Sequence, residues 1–206
     1  MILLWRTKKS DLITTVHLII LILIVTALSR PVLQEGLQER SLEAKDIIIA
    51  LDVSYSMRAK DIKPTRYIFA KETIDALLKE NAKDNIMLIA FTSNPLLLSP
   101  PTTDHELIHI ALKSLNPEYI LTKGTSLKKL FKKIASMQRS KTLHQNLILI
   151  TDGGEEDNAE SLTKELEKTN ISLTVLALGT KQGTTIEMPD GTLLKDDKNN
   201  LVVSRI

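Results

Sequence analysis

The stretch IIIALDVSYSMRAKD, residues 47–61, opens as a run of branched apolar residues and closes on an aspartate followed at alternate positions by two serines. Near-continuous Ile, Leu and Val over so short a length suits a strand buried on both faces, as in a parallel sheet. With this strand taken as 46–53, three further segments read the same way: NIMLIAF (85–91), NLILITD (146–152) and ISLTVLAL (171–178). Between them lie helical patterns. The one over 67–79 follows Pro64, which is tolerated in a first helical turn, and is expected to turn Ile68, Phe69, Ile74, Leu77 and Leu78 to one side. Residues 103–115 carry Ile108, Ala111, Leu112 and Leu115 at helical spacing, with Thr103 or Asp104 as cap, and 126–137 carry Leu127, Leu130, Phe131, Ile134 and Met137. Residues 158–168 give the last helix. The alternation predicts an α/β fold of the Rossmann-like kind: an open, mostly parallel sheet with helices on both faces. In the tail, Asp190-Gly191 and Asn199-Asn200 separate short apolar runs and predict small hairpins.

A chain of 206 residues holds one domain of ordinary size plus extensions. Only seven residues are aromatic (Trp 1, Tyr 3, Phe 3), so the core is built from aliphatic side chains, which suits a sheet covered by helices. The net charge of +2 argues against a nucleic-acid binder, whose basic face dominates its charge. The absence of cysteine excludes disulfides and thiolate metal sites.

The amino terminus reads separately. Residues 12–28, LITTVHLIILILIVTAL, form an uncharged run of 17 residues with His17 neutral. As a helix the run extends about 26 Å, at the short end of membrane-spanning lengths. It reads as an uncleaved anchor, with a secretory signal peptide as the rival because basic residues precede it and Ala27-Leu28-Ser29 loosely resembles a cleavage site. Arg6, Lys8 and Lys9 precede the run and Arg30 follows it, which favours a cytoplasmic amino end and an exported carboxyl domain. The expected order is a basic cytoplasmic segment (1–11), a transmembrane helix (12–28), a connector (29–45) and a folded domain (46–206).

In an open parallel sheet, ligands bind beyond the carboxyl ends of the strands. Asp52 and Asp152 both end apolar strands, so both carboxylates are expected along that edge. Ser54 and Ser56 follow Asp52 at a spacing that turns oxygens to one side of a tight loop. Hard oxygen donors of this kind suit Mg²⁺ or Mn²⁺ and not zinc or copper. An EF-hand is excluded, because Met57 occupies the turn-glycine position and Lys63 the place of the bidentate Glu.

At this point the chain resembles a known family. DVSYSM matches the DxSxS motif of the von Willebrand factor A domain, whose metal-ion-dependent adhesion site adds a threonine and an aspartate from two later loops. The matching positions are Thr125 in KGTSL and Asp152 in LITDGGEE. The resemblance implies a divalent-metal set of Asp52, Ser54, Ser56, Thr125 and Asp152, in which hydroxyls bind the ion directly and one or both aspartates act through water. A carboxylate from another protein would then fill the open position. SMRAKDIKPTRYIFAKE and the ending ALGTKQGTTIEMPDGTLLKDDKNNLVVSRI further resemble the bacterial aerotolerance Bat proteins. That likeness implies the bacterial inner membrane, a periplasmic domain, other Bat-type proteins as partners and a link to MoxR-type ATPases. Two departures stand out: Bat proteins usually carry further membrane helices before and after this region, and Lys123 stands where the family usually has a second glycine.

The rival reading is a metal-dependent hydrolase. HELIH, residues 105–109, matches the H-E-x-x-H pattern of zinc proteases, without a third histidine nearby. A phosphatase of the haloacid dehalogenase type also places an aspartate at its first strand tip, but it needs a second one where this chain has Ser54. Lys128, Lys129, Lys132 and Lys133 read as a solvated helix face, and Met57 as packing.

Overall fold

The structure, a computed structural model, describes residues 3–28, 44–116, 124–138, 143–153, 164, 166–167, 169–188, 190–196 and 198–206. It forms two compact units, Met1–Leu42 and Glu43–Ile206. In the first, Leu3–Leu28 is one continuous helix, α1. Among the described residues no helix is long and apolar enough to cross a membrane. The side chains described on α1, Leu12 and residues 14–25, account for roughly 20 Å of helix against a hydrocarbon core of roughly 30 Å. Most of the predicted connector, residues 29–43, lies outside the described residues.

The second unit is built on strands β1 (Asp46–Asp52), β2 (Asn85–Phe91), β3 (Pro95–Thr102), β4 (Gln145–Thr151) and β5 (Ile171–Ala177), in the order β3-β2-β1-β4-β5. β1 pairs in parallel with β2 and β4, and β4 in parallel with β5. The four predicted strands thus form the parallel part of the sheet. β3 was not predicted. It runs antiparallel to β2 after a connection of residues 92–94, too short for a parallel crossover. Its Pro95, Pro100 and Pro101 read as breakers, but an edge strand tolerates proline because one side of its ladder is unpaired.

β1 explains its own composition. Ile47, Ile49 and Leu51 pack on one face with Ile74, Leu78, Ile108 and Leu112, which come from α2 (Arg66–Glu80) and α3 (His105–Ser114). Ile48 and Ala50 pack on the other with Leu130, Phe131 and Ile134 of α4 (Leu127–Met137) and with Leu166. Because both faces are covered, no polar alternation survives in the strand. The predicted helix over 158–168 lies outside the described residues except at 164, 166 and 167. In α2 the buried stripe is Tyr67, Ala70, Ile74 and Leu78, while Ile68 and Phe69 are exposed, which corrects the predicted face at those two positions. Ile108, Leu112 and Leu115 of the stripe predicted for α3 join the core while Ala111 is half-buried outside it, all five residues predicted for α4 join it, and the four lysines of α4 are exposed. Caps fix the helix starts: Thr65 accepts from the Ile68 amide, Asp104 from Glu106 and Ser126 from Lys129.

The tail folds as nested hairpins. β6 (Thr184–Thr185) pairs antiparallel with β7 (Val203–Ser204), and single bridges join Glu187 to Leu193 and Lys195 to Leu201. Gly191 and Asn199 take positive φ at the two turns, as the Asp-Gly and Asn-Asn pairs lead one to expect.

Candidate metal centre

Asp52 is the last residue of β1 and has no exposed surface. Its Oδ1 accepts from the Ser54 amide at 2.9 Å, and its Oδ2 accepts from the Thr151 hydroxyl at 2.6 Å. Thr151 ends β4, the strand beside β1, so sheet register delivers this partner. Neither partner is a cation. Burial pushes the Asp52 carboxyl up to about 6 against the opposing pull of the Thr151 and Ser54 hydrogen bonds.

Beyond Asp52 the chain turns through a short 3₁₀ segment, Tyr55–Arg58, closed by the Met57 amide donating to Ser54 O at 3.1 Å. Met57 is buried in the core and holds the turn down, which is the packing role expected of it. The turn aims both serines the same way. Ser54 Oγ and Ser56 Oγ lie 2.9 Å apart, and the Ser56 hydroxyl donates to Asp152 Oδ1 at 2.9 Å. Thr125 is buried in the loop before α4, a loop tied to the end of β2 by the Ser126 amide donating to Thr92 O at 2.9 Å. Ser54, Ser56, Thr125 and Asp152 all line one cleft of roughly 490 Å³. Four of the five predicted residues therefore share a wall, and Asp52 lies behind it, joined through the Ser54 amide. Lys123 lies outside the described residues.

Sequence reasoning missed three contributors. Thr151 is one. Arg66 is another: it is fully buried, and its Nη1 donates to Asp152 Oδ2 at 2.6 Å. Ser204 is the third, accepting from Arg66 Nη1 at 2.6 Å, so the tail hairpins form the far wall of the cleft. Arginine is seldom fully buried unless paired, so nothing in the local sequence marks Arg66.

The HELIH histidines are engaged elsewhere. His105 Nδ1 and Nε2 lie 3.2 and 2.9 Å from the carbonyl oxygens of Leu78 and Asp84, and His109 Nδ1 lies 2.9 Å from Asp75 Oδ1. Among the described residues no group of three or more His, Cys, Asp or Glu side chains is placed to hold a metal ion. The five predicted edge residues supply two carboxylates and three hydroxyls.

The profile of the von Willebrand factor type A domain matches residues 47–155, just over half of the chain. The chain belongs to that family. Domains of this family generally mediate metal-dependent protein–protein interaction, bind a divalent metal at their adhesion site and are typically not enzymes. The structure of BatB from Bacteroides thetaiotaomicron is similar at a TM-score of 0.71 and 29% identity, over 79% of this chain and 80% of that one. An aerotolerance-related membrane protein from Bacteroides fragilis gives a TM-score of 0.71 at 25% identity, over 79% and 82%. An uncharacterized protein of Borreliella burgdorferi is 29% identical over 149 residues, 69% of this chain and 43% of that protein. This von Willebrand A chain thus spans less than half the length of that relative, and it resembles the Bat proteins in both fold and sequence.

Proposed function

We propose that the chain is a membrane-anchored interaction module in which Asp52, Ser54, Ser56, Thr125 and Asp152 hold a divalent cation that receives a carboxylate from a protein partner. One observation carries the reading: the hydrogen-bonded line Ser54 Oγ–Ser56 Oγ–Asp152 Oδ1, set in front of a buried Asp52. These donors are all oxygen, which suits Mg²⁺ or Mn²⁺. Both Asp52 oxygens are held by protein donors and Asp152 Oδ2 is held by Arg66, so the hydroxyls, together with Asp152 Oδ1, are the groups left for direct ligation. A cation ligated mainly by neutral oxygens keeps its demand for an anionic sixth ligand, and Mg²⁺ exchanges a retained water for one.

The uncharged run 12–28 and the likeness to membrane proteins support a single inner-membrane anchor with the domain in the periplasm. Other Bat-type proteins, in a complex linked to MoxR-type ATPases, are the proposed partners. Among the described residues no histidine lines the cleft, and the proposal commits the Ser54 and Ser56 hydroxyls to the ion, so binding without turnover is the reading. The experiment is capture of detergent-solubilised membrane proteins by the full chain in Mg²⁺ and in EDTA. Retention in Mg²⁺, release in EDTA and loss with Asp152→Ala are expected, and retention that ignores both changes contradicts the proposal.

A further inference from the structure

Arg66 has more partners than the start of a helix requires. Its Nε and Nη2 donate to Asp61 Oδ1 and Oδ2 at 2.7 and 2.6 Å. Its Nη1 donates to Asp152 Oδ2 and Ser204 Oγ, both at 2.6 Å, and Nη2 reaches the Ser204 carbonyl at 3.2 Å. Asp61 is held in turn by the amide and hydroxyl of Thr180, at 2.9 and 3.0 Å. Three separate stretches, the loop after β1, the loop after β4 and the C-terminal strand, therefore meet on one buried cation.

The backbone is shaped for that meeting. At Gly179, with φ +150°, a Cβ would lie 2.7 Å from Ile206 Cγ1 and 3.0 Å from Arg66 Nη2. At Gly183, with φ +67°, it would lie 2.5 Å from the Ser204 carbonyl oxygen. Bare backbone at both positions lets residues 204–206 lie against the guanidinium. The Arg66 charge is shared between Asp61 and Asp152, so Asp152 offers the proposed ion less than a full negative charge, in keeping with an ion that still demands an anionic ligand.

We infer that Arg66 is a positioning residue for the proposed metal site, and that through it the seating of the C-terminal strand and metal binding are coupled. The inference rests on the metal reading of Asp52, Ser54, Ser56, Thr125 and Asp152. Arg66 engages Asp152 Oδ2 and so leaves Oδ1 facing Ser56; a carboxylate free to rotate would not hold that division. Ser204 completes the guanidinium's partners, so a seated tail holds Arg66, and Arg66 holds Asp152. Coupling of this kind is reciprocal, so the ion must tighten the tail by the factor by which the tail tightens the ion.

The test uses the full chain in detergent. Mn²⁺ affinity is measured by calorimetry, and the exchange of the Ile206 amide, which donates to Thr180 O at 3.3 Å, is followed with and without Mn²⁺. Arg66→Lys keeps the charge and loses the fork, and is expected to weaken Mn²⁺ binding by roughly 10–100-fold, the range for groups that orient metal ligands. Ser204→Ala, the milder change that guards against a folding defect, is expected to weaken it several-fold. In the wild type Mn²⁺ should slow the Ile206 exchange, and in Asp52→Ala it should not. If Ser204→Ala binds Mn²⁺ as the wild type does and exchange ignores the ion, while Asp52→Ala still abolishes binding, the metal reading survives and the coupling is overturned. If the wild type binds no Mn²⁺, both fall.

Discussion

The Ser56 hydroxyl donates to Asp152 Oδ1 at 2.9 Å across 96 positions of sequence, joining the loop that follows β1 to the loop that follows β4. Parallel neighbours end on the same edge of a sheet, so β1 and β4 carry these loops to one place. Under the proposed function a cation closes this pair.

That closure is measurable as stability. A ligand that binds only the folded state adds about 2.7 kcal/mol at a hundred times its Kd, which raises the melting temperature of a domain this size by roughly 5–10 °C. Mg²⁺ or Mn²⁺ should produce such a rise in the wild type and none in Asp52→Ala, read by thermal denaturation of the domain signal. Equal rises in both would remove Asp52 from the site.

Acid should loosen the Arg66 hub. The Arg66 hydrogen bonds hold the Asp61 carboxyl at about 2, below its ordinary 3.8, with Thr180 adding to the effect. A lowered carboxylate pKa contributes stability above the unfolded value and loses it as pH falls through the folded one, here between about pH 4 and pH 2. Its worth at neutral pH is about 2 kcal/mol. Urea midpoints of the wild type and Asp61→Asn should stand apart at pH 7 and converge below pH 4; a gap that stays constant to pH 2 would contradict the assignment.

The Met57 side chain bears on the site through packing. Met57→Ala opens a cavity beneath the serine turn and should cost about 2–4 kcal/mol in urea unfolding. A cost below about 1 kcal/mol would mean that the turn does not rest on this side chain.

The hydrolase alternative has its own outcome. With His105 facing two backbone carbonyl oxygens and His109 beside Asp75, the HELIH helix should bring about no zinc-dependent proteolysis. Peptidase activity with Zn²⁺ that is lost in His105→Ala would reverse that conclusion.

The anchor is tested by topology. Protease added to spheroplasts should digest the domain and spare the basic amino end. A domain reached only after the membrane is broken would reverse the proposed orientation.

The parallel strands were legible because burial on both faces leaves an unbroken apolar run, and the serines were legible because they follow a strand-ending aspartate at fixed spacing. β3 was not, since the three prolines that an edge strand tolerates are the same residues that mark a loop. Ile68 and Phe69 misled because helical periodicity fixes a face only up to rotation, and the smaller Tyr67, Ala70, Ile74 and Leu78 set includes an alanine that carries little signal. Thr151 and Arg66 acquire their roles from residues 99 and 86 positions away, respectively. No local pattern encodes a contact at that range; register and topology create it.

The most direct test of the central claim is anomalous diffraction from crystals of the protein grown with Mn²⁺. A single strong peak is expected in the cleft, within ligating distance of Ser54 Oγ and Ser56 Oγ, with Asp52 reaching it through water. A peak at the His105–His109 helix, or no peak in the cleft at saturating Mn²⁺, would contradict the account.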